Sequence, residues 1–493
     1  MKPIDLVGKE FFLFKQYVSR NDNLQLIFLV TLTFLIVTTL TQAEQQNQSS
    51  EYELYWHQWR GPTSNGIAPR SNNPPFEWSE QRNILWKLEI PGEGHASPII
   101  WKDQIFILTS TPTEIENKEQ PVENGNGDTD FFGIPLEQFK QAAQTGGRNR
   151  RGEAPNLNLK LAVICIDRTT GQIEWERVVR ETQPHEGTHN TATWASYSPI
   201  TDGDYLYANF GSFGLYCLDL SGNVQWEIDL GDMRTRNSFG EGGSATLYNN
   251  TLIVNWDHEG DSFIVAIDKE TGDQLWRVDR DEPTSWSTPI VTDYTGLPQV
   301  IVNATNHISS YDLQSGEILW EASGMTTNVI PCPVFHSESG MAYFMSGFRG
   351  NALMAIQLAN ATGDITGTSS VVWQYNQDTP YVPSPLLYGD NLYFLKNRNG
   401  ILSCLDAKTG SVHYGPERLE GIGDVYASPV GAGGYIFLPD RDGNVVVFKH
   451  GTELKVLAIN QLNDGFSASP AIVGDQIYLR GHRYLYCIAN MNN

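Results

Sequence analysis

One pattern recurs eight times along the chain, and it constrains the fold more strongly than any other feature. Each copy opens with a small residue followed by Pro, or once by Ala, as in "ASPII" at 96–100 and "STPIV" at 287–291. After a long first interval, the copies lie 41 to 52 residues apart. A period of about 44 residues with alternating apolar runs is typical of a β-propeller, in which each unit of four short strands forms one blade.

A second motif closes most of the copies, as in "CIDRTTGQIEW" at 165–175 and "AIDKETGDQLW" at 266–276. Its Asp and Gly predict a tight turn, because the Asp side chain can accept hydrogen bonds from backbone N–H groups and Gly adopts a positive φ without strain. The Trp that follows the Gly by four residues is predicted to lie on the outermost strand and to pack between neighbouring blades.

Only three strands follow the last opening motif, "ASPAI" at 468–472. We expect residues 83–90, "NILWKLEI", to supply the fourth strand, which would close the ring and leave no open sheet edge between its two ends. The chain is therefore predicted to be all-β, an eight-bladed β-propeller of four-stranded antiparallel blades over residues 78–493, closed by an N-terminal strand. A polar insert at 111–158 interrupts the first blade and is predicted to be a flexible loop.

The segment before the propeller carries an export signal. Residues 24–40 form an uncharged apolar run of 17 residues, with basic residues before it and acidic residues after it. Residues 1–43 are therefore predicted to be a signal peptide cleaved after Ala43, or a signal anchor that remains in the membrane. Both alternatives place the rest of the chain outside the cytoplasm, in the periplasm or the extracellular space, with 44–77 as an N-terminal extension.

The net charge of −24 limits the partners. A surface this acidic repels phosphate backbones, so nucleic acid is excluded as a partner.

The five cysteines do not predict a disulfide framework. Cys165, Cys217, Cys404 and Cys487 recur at one position of the repeat, on the third strand of four different blades, which the ring would hold apart. Cys332 replaces the small residue before Pro in one opening motif. All five are predicted to be reduced and buried.

The sequence "HEGTH" at 185–189 matches H-E-x-x-H, the zinc-protease signature. It lies between two blades and next to Pro184, so it predicts a loop rather than the helix that would direct both imidazoles to one metal. A metal site would therefore need the loop "WDHEG" of the next blade, and three nitrogens with a carboxylate would suit Zn²⁺ or another transition metal. The candidate metal ligands are His185, His189, Asp257, His258 and Glu259. The alternative is that the histidines only bond to loop backbone.

Loops between blades and loops between the second and third strands meet on one face of a propeller, at the mouth of the central channel. This is the usual place for a ligand site in a ring fold. The candidate ligand-binding residues on this face are His95, Trp194, Glu241, Trp286, Arg349, Lys396, Arg398 and Tyr426. For the two tryptophans packing is the competing interpretation, and for the basic residues an ordinary turn is.

The two repeated motifs together resemble the PQQ-like propeller repeats, over about residues 54–490. The resemblance implies the fold but not the activity, because the family includes quinoprotein dehydrogenases and non-enzymatic scaffolds such as the propeller lipoprotein of the outer-membrane assembly machine. The stretch "HQWRGPTSNGIA" at 57–68 is similar to exported planctomycete-type members of undefined activity. The chain departs from the dehydrogenases in having no adjacent cysteines and no C-x-x-C-H haem motif, and from the lipoprotein in having no lipidated Cys.

These features favour an exported binding or scaffolding module over an enzyme, with a protein, small-molecule or polymer ligand at the top face. One alternative is an oxidoreductase of the quinoprotein type, dependent on a metal or on PQQ with Ca²⁺ or a transition metal. A second alternative is a hydrolase or lyase that acts on extracellular polymers.

Overall fold

The computed structural model describes residues 51–69, 71, 73–113 and 157–491. From Leu54 onwards these residues form one compact unit, built from eight β-sheets that follow one another along the chain. Each sheet is built on four antiparallel strands in chain order, except that the last sheet takes its outermost strand from the N-terminal side. Two of the sheets have a short fifth strand that pairs in parallel at one edge. The predicted eight-bladed β-propeller is therefore confirmed.

Two strands precede the first blade, β1 (Ile67–Ala68) and β2 (Ile84–Glu89). Blades 1 to 4 then contain, from the innermost strand outwards, β3 (Ile99–Trp101), β4 (Gln104–Thr113), β5 (Asn158–Asp167) and β6 (Ile173–Thr182); β7 (Ile200–Thr201), β8 (Tyr205–Asn209), β9 (Leu215–Asp219) and β10 (Val224–Ile228); β11 (Thr246–Tyr248), β12 (Thr251–Trp256), β13 (Phe263–Asp268) and β14 (Gln274–Asp279); β15 (Ile290–Thr292), β16 (Gln299–Val302), β17 (Ile308–Asp312) and β18 (Ile318–Ala322).

Blades 5 to 8 continue the ring. Their strands, with the short β22 that pairs in parallel outside β18, are β19 (Val334–His336), β20 (Met341–Ser346), β21 (Ala352–Gln357), β22 (Gly363–Asp364) and β23 (Val371–Gln374); β24 (Leu386–Tyr388), β25 (Asn391–Leu395), β26 (Ile401–Asp406) and β27 (Val412–Arg418); β28 (Val430–Ala432), β29 (Tyr435–Pro439), β30 (Asn444–Lys449) and β31 (Val456–Gln461); β32 (Ala471–Val473), β33 (Gln476–Arg480) and β34 (Tyr484–Ile488). Three single-turn 3-10 helices occur at Gly211–Phe213, Arg236–Ser238 and Leu358–Asn360.

Strand β2 closes the ring as predicted. It pairs antiparallel with β34, with Trp86 opposite Cys487 and Leu88 opposite Leu485, and so completes blade 8. The indole of Trp86 donates a hydrogen bond to Arg168 O of blade 1 at 3.0 Å. The first and last blades are thereby joined by backbone pairing and by a side chain.

The repeated turn and the repeated Trp interlock neighbouring blades. Trp175 of blade 1 donates from its indole to Leu220 O of blade 2 at 3.1 Å, and its ring packs against Gly222 in the turn there. Gly222 has a φ of +85°, and a Cβ at this position would lie 2.8 Å from the indole. Only glycine therefore satisfies both the turn and the Trp contact, which explains why the two residues recur together.

The cysteines occupy the places that the repeat predicted. Four lie on the third strand of blades 1, 2, 6 and 8, and all five are buried and unpaired. The prediction of reduced, buried thiols is confirmed.

Residues 54–69, which we call the channel segment, run inside the ring. Trp56 O accepts a hydrogen bond from Ile100 N of β3 at 2.8 Å, and His57 O accepts one from Thr201 N of β7 at 3.0 Å. Both partners lie on innermost strands, whose inner edges face the central channel. The first part of the N-terminal extension therefore fills the channel next to blades 1 and 2.

The second half of the channel segment contacts the opposite side of the ring. The Asn65 amide makes two bonds with the backbone of Phe335 in blade 5, donating to its O at 2.8 Å and accepting from its N at 3.0 Å. Gly66 O accepts from Gly431 N of blade 7 at 2.8 Å, and β1 then pairs in parallel with β28. The segment thus crosses the channel and is held by main-chain groups on both sides.

Some sequence predictions fall outside the described residues. The apolar run at 24–40 does so entirely, and within the described residues no helix is long and apolar enough to cross a membrane. Of the insert predicted at 111–158, residues 111–113 and 158 belong to β4 and β5, and residues 114–156 are outside the described residues.

Candidate functional site

The innermost strands place a closed ring of hydrogen bonds around the channel, which we call the hydroxyl ring. In each of the eight members the backbone N–H donates to the side-chain oxygen or sulfur of the next blade's member at 2.9–3.0 Å, and the last N–H donates back to the first. The members are the small residues of the opening motifs: Ser97, Ser198, Ser244, Thr288, Cys332, Ser384, Ser428 and Ser469. The Thr288 and Ser384 hydroxyls bond to the Cys332 sulfur. Within the described residues, the other five hydroxyls donate to no protein oxygen or nitrogen, so their hydrogens remain for a ligand or water.

A second ring lies directly above the first. The residue two positions before each member of the hydroxyl ring faces the same way, because side chains alternate along an extended backbone. These eight residues also border the channel: His95, Ser196, Gly242, Trp286, Ile330, Val382, Tyr426 and Ser467. Both rings line one cavity of about 650 Å³ on the face where the blades are connected. Trp59 of the channel segment also lines it, so the segment forms part of the floor.

One side of the cavity is rich in cationic and donor groups. Arg398, in the turn after β25, donates to the Tyr426 hydroxyl and lies 3.2 Å from Asp424. Arg441 of blade 7 is 3.7 Å from the same Asp424, and its guanidinium lies 4.8 Å from the Tyr426 ring. Arg441 Nε is buried and has no hydrogen-bond partner within the described residues. Two guanidinium groups therefore share one carboxylate here.

The basic side continues into blades 8 and 1. The rings of His95 and His482 are 5.2 Å apart, and Arg480 beside them donates to Ala96 O at 3.2 Å. Burial lowers the pKa of Arg480 to about 9, and no carboxylate pairs with it within the described residues. Burial, followed by the charges of His482, Arg480 and Arg441, holds the pKa of His95 well below its usual value. We call His95, Arg398, Arg441, Arg480 and His482 the basic wall. His95 and Arg398 line the cavity itself, and Arg441, Arg480 and His482 pack next to lining residues.

A second network extends the basic wall towards blade 2. The Thr191 hydroxyl is 3.0 Å from the Tyr426 hydroxyl and 2.7 Å from His189 Nδ1. Burial and the charges of Arg398 and Arg441 lower the pKa of His189. At neutral pH these histidines are therefore uncharged, and they can donate or accept hydrogen bonds beside the fixed positive charge of the arginines.

Glu241 lies across the ring from the basic wall, in the connection between blades 2 and 3. Its carboxylate accepts from Ser212 N at 2.8 Å and Ser212 Oγ at 2.6 Å, and the Tyr197 hydroxyl is 3.3 Å away. A Cβ at Gly211 would lie 1.8 Å from Glu241 Oε2, so glycine is needed for this close approach. Burial raises the pKa of Glu241 to about 7, against the opposing hydrogen bonds from Ser212.

Aromatic rings complete the cavity. Phe239 and Trp286 are 6.5 Å apart beside Glu241, and the Trp286 indole is fixed by a 2.8 Å hydrogen bond to Gly240 O. Phe348 and Tyr381 stack at 4.8 Å on the blade 5 side. The cavity therefore combines flat apolar surface with polar groups of both signs, an arrangement typical of small-molecule sites.

Five of the eight predicted ligand-binding residues line this cavity: His95, Glu241, Trp286, Arg398 and Tyr426. Trp194 instead lines a smaller side pocket with His185 and Glu186. Arg349 is exposed, with its guanidinium 5.3 Å from the Phe348 ring, and Lys396 pairs with Asp378 at 2.7 Å. Trp194 lies four residues before Ser198 of the hydroxyl ring, in the loop rather than on the strand that faces the channel.

The candidate metal ligands do not share one site, because each has its own hydrogen-bond partners. His185 Nε2 donates to Met233 O at 2.7 Å, whereas His258 Nδ1 accepts from Arg234 N at 3.0 Å, so the two rings lie on either side of one backbone segment. In the part of the chain that the structure describes, no three His, Cys, Asp or Glu side chains converge as metal ligands. His189 borders the main cavity without these partners.

The two carboxylates of the second loop have structural partners. Asp257 forms a buried ion pair with Arg280 at 2.7 Å and accepts from Ser285 at 2.6 Å. The Glu259 carboxylate accepts a 2.9 Å hydrogen bond from the Thr284 hydroxyl. Both carboxylates are thus engaged away from His185 and His189.

Sequence reasoning missed several lining residues. Trp59 belongs to a segment without repeats, and Phe239, Phe348 and Asn399 lie in loops of irregular length. The sequence does carry one indication of the second ring. Its members lie two residues before each small residue of the opening motifs, so counting back two positions identifies all eight.

Several solved structures are similar to the chain. BamB from Moraxella catarrhalis has 13% identity and a TM-score of 0.45, with 67% of this chain and 93% of that chain covered. A europium-containing methanol dehydrogenase has 12% identity and a TM-score of 0.46, with 89% and 98% covered. The computationally designed Ika8 protein has 12% identity and a TM-score of 0.48, with 69% and 94% covered.

No curated protein sequence matches the chain. The family model described as outer membrane protein assembly factor BamB matches residues 158–255 and 260–492, which is more than half of the chain. With its eight blades and their repeated motifs, the chain belongs to this family of PQQ-like β-propellers.

Proposed function

We propose that this protein is a binding module whose top-face cavity takes a small organic molecule bearing an acid group. The observation that carries the proposal is the basic wall, in which Arg398 lines the cavity and shares Asp424 with Arg441, while Arg480 near His95 has no carboxylate partner within the described residues. The positive charge of the three arginines exceeds that of the one carboxylate, and an anion in the cavity gains from this excess because charges interact strongly in a medium of low dielectric constant.

The floor of the cavity supports the same ligand chemistry. The seven hydroxyls of the hydroxyl ring have each used one lone pair to accept from a backbone N–H, and five of them have hydrogens available as donors. A ring of donors favours an oxygen-rich acceptor such as a carboxylate. Because the channel segment fills the space below, a ligand enters and leaves from the top face.

The aromatic rings provide the apolar half of the site. Phe239 with Trp286 and Phe348 with Tyr381 form two pairs of flat surface above the floor. A ligand with a planar or aliphatic body would bury this surface while its acid group meets the basic wall.

A quinoprotein oxidoreductase is the competing function. The sequence has no adjacent cysteines, a feature typical of the quinoprotein dehydrogenases. Within the described residues, no group of three His, Cys, Asp or Glu side chains could hold a metal. These observations support the binding module over the oxidoreductase, and no step is derived through such a cofactor.

The proposal also includes export, with the site working in the periplasm or outside the cell. The apolar run at 24–40 with its flanking charges supports it. Fractionation of cells that express the full chain tests this part separately, and recovery of the protein only in the cytoplasm would contradict it.

Titration with phenylacetate and 2-phenylethanol tests the binding function. We expect phenylacetate to quench the tryptophan fluorescence and to bind at least about tenfold more tightly than the uncharged alcohol, since hydrogen bonds to charged groups contribute about 1.5–3 kcal/mol. Arg398→Gln should remove that preference, whereas Arg82→Gln, an exposed arginine paired with Glu77, should not.

Equal affinity for the acid and the alcohol, or no binding of either, would overturn the proposed function. Addition of PQQ with Ca²⁺ to the purified protein separates the competing function. A stoichiometric protein-bound quinone absorbance, with oxidation of an alcohol, would replace the binding module by the oxidoreductase.

A further inference from the structure

The seat of Glu241 is built to hold a buried carboxylate beside the cavity. The side chain is only 10% exposed, and its oxygens are oriented by the backbone and hydroxyl of Ser212. Gly211 provides the space, because any Cβ there would collide with the carboxylate. Glu241 lines both the main cavity and the small side pocket, so its carboxylate lies where the two meet.

This carboxylate lacks a committed cation. Within the described residues, no Lys or Arg pairs with Glu241, and the nearest basic group is His185 Nε2 at 4.0 Å. That nitrogen is already used, because it donates to Met233 O at 2.7 Å. An isolated buried carboxylate costs free energy unless a positive group or strong donors compensate it.

The aromatic pair beside Glu241 has the chemistry to hold a cation. Phe239 and Trp286 lie 6.5 Å apart and border the cavity together with Glu241. Trp286 is held in place by its bond to Gly240 O, and the intervening Gly242 has no side chain to cover the indole. A cation over an aromatic face is attracted by the ring quadrupole, and an adjacent carboxylate adds direct charge pairing.

We propose that Glu241, Phe239 and Trp286 form a subsite for the ammonium group of the ligand, so that the cavity takes a zwitterion with its acid on the basic wall. This inference rests on the proposed function and specifies the ligand class. The two subsites lie on opposite sides of the ring, blades 2 to 4 against blades 6 to 8 and 1.

The net charge of the chain supports a zwitterion. A net charge of −24 repels a simple anion at long range, although the basic wall attracts it locally. A ligand with one acid and one ammonium group has no net charge and avoids this repulsion. The same ligand meets Arg398 on one side and Glu241 on the other.

The ammonium subsite makes binding dependent on pH. Glu241 faces Ser212, Tyr197, His185 and Glu186, and burial is the largest influence on its pKa. Below that pKa the carboxyl group is protonated and offers no charge to an ammonium group. The advantage of the ammonium should therefore grow as the pH rises through 7 and stay until the amine itself deprotonates.

A matched series of ligands tests the subsite with the unmodified protein. Phenylalanine, N-acetylphenylalanine and phenylacetate all carry a carboxylate and a phenyl ring, and only phenylalanine carries an ammonium group. At pH 8 we expect phenylalanine to bind about tenfold more tightly than N-acetylphenylalanine by calorimetry. At pH 5.5 the ratio should approach one.

Glu241→Gln keeps the size of the side chain and should bring the ratio to about one at both pH values, while phenylacetate still binds. Glu270→Gln, at an exposed turn, is the control and should retain the ratio. If phenylacetate binds but phenylalanine binds no more tightly than its acetylated form, the ammonium subsite is wrong and the acid-binding function stands. If none of the three binds, the proposed function itself fails.

Discussion

The channel below the hydroxyl ring and the cavity above it differ in the kind of contact that stabilises them. Below, the channel segment is bonded mainly to main-chain groups of the innermost strands, as in the two bonds between Asn65 and Phe335. Above, side chains contact other side chains, as in the network of Tyr426, Arg398 and Thr191. Backbone partners are fixed by the sheets, whereas side-chain partners can rearrange around a ligand.

The pKa shifts follow the same division. Glu241, His95 and His189, which carry charge at some pH between 4 and 8 in ordinary surroundings, border the upper cavity and have shifted pKa values. Below the ring, the channel segment buries Arg60, whose pKa burial lowers to about 10 and which stays charged at neutral pH. Changes below the ring should therefore act on stability, and changes above it on binding and on pH response.

The largest effect is expected from the strand that closes the ring. Deleting residues 84–89 would remove β2 from blade 8 and expose the edge of β34, so the cooperative unfolding transition should disappear. Trp86→Ala gives a graded version, with a loss of about 3–5 kcal/mol. Thermal unfolding followed by circular dichroism measures both, and Leu85→Ala, whose side chain is 44% exposed, is the control. An unchanged transition after the deletion would contradict the closure.

A smaller loss is expected when the channel segment is weakened. Asn65→Ala removes two hydrogen bonds to Phe335 and should lower the free energy of unfolding by about 2 kcal/mol. Urea unfolding measures the loss, and Thr63→Ala, at an exposed position of the same segment, should change it by less than about 0.5 kcal/mol. Equal effects of the two substitutions would show that the segment does not stabilise the ring through Asn65.

Through Glu241, the free energy of unfolding should fall as the pH rises. A carboxyl group in an ion pair has the opposite effect, because its pKa is lowered in the folded state. Its folded pKa, about 7, lies above the usual value of 4.5, so the folded state retains the proton that the unfolded state loses. The stabilisation is complete below pH 4.5 and is lost as the pH rises to 7, with an amplitude of about 1–3 kcal/mol. Unfolding at pH 5 and pH 8 should show a smaller difference for Glu241→Gln than for the wild type. An identical difference would place the titrating group elsewhere.

The smallest effect on stability is expected on the basic wall. The Arg398 side chain is 41% exposed, and Arg398→Gln should change the free energy of unfolding by less than about 0.5 kcal/mol while it weakens phenylacetate binding. Unfolding and ligand titration on the same preparation check both halves. A loss of stability comparable with that of Asn65→Ala would abolish the distinction between the two regions.

Periodicity made the architecture predictable. The small residue before Pro, the Asp and Gly of the turn and the Trp each have the same position-specific role in most blades, so repetition identified the eight blades, the closing strand and the buried thiols. The cavity was partly predictable for the same reason. His95, Trp286 and Tyr426 lie two residues before the hydroxyl ring and face the channel, whereas Trp194 is out of that register.

Features that do not repeat along the chain could not be predicted from the sequence. The channel segment bonds to partners 44 to 365 positions away, and no local pattern in "HQWRGPTSNGIA" indicates these partners. The environment of Glu241 likewise depends on Gly211 and Ser212 of another blade. The sequence did not indicate that the rings of His185 and His258 bond to the backbone of Met233 and Arg234.

The position of the channel segment also orders the assembly of the molecule in time. The segment precedes β2 in the chain, and β2 can pair only with β34, which is synthesised last. The blades therefore assemble around a segment that is already present, and the channel it occupies is not sealed until the ends of the chain meet. Arg60 is 2% exposed inside that channel. We expect the segment to leave most readily when the last blade opens, so its lifetime in the channel would report how often the ends of the ring separate.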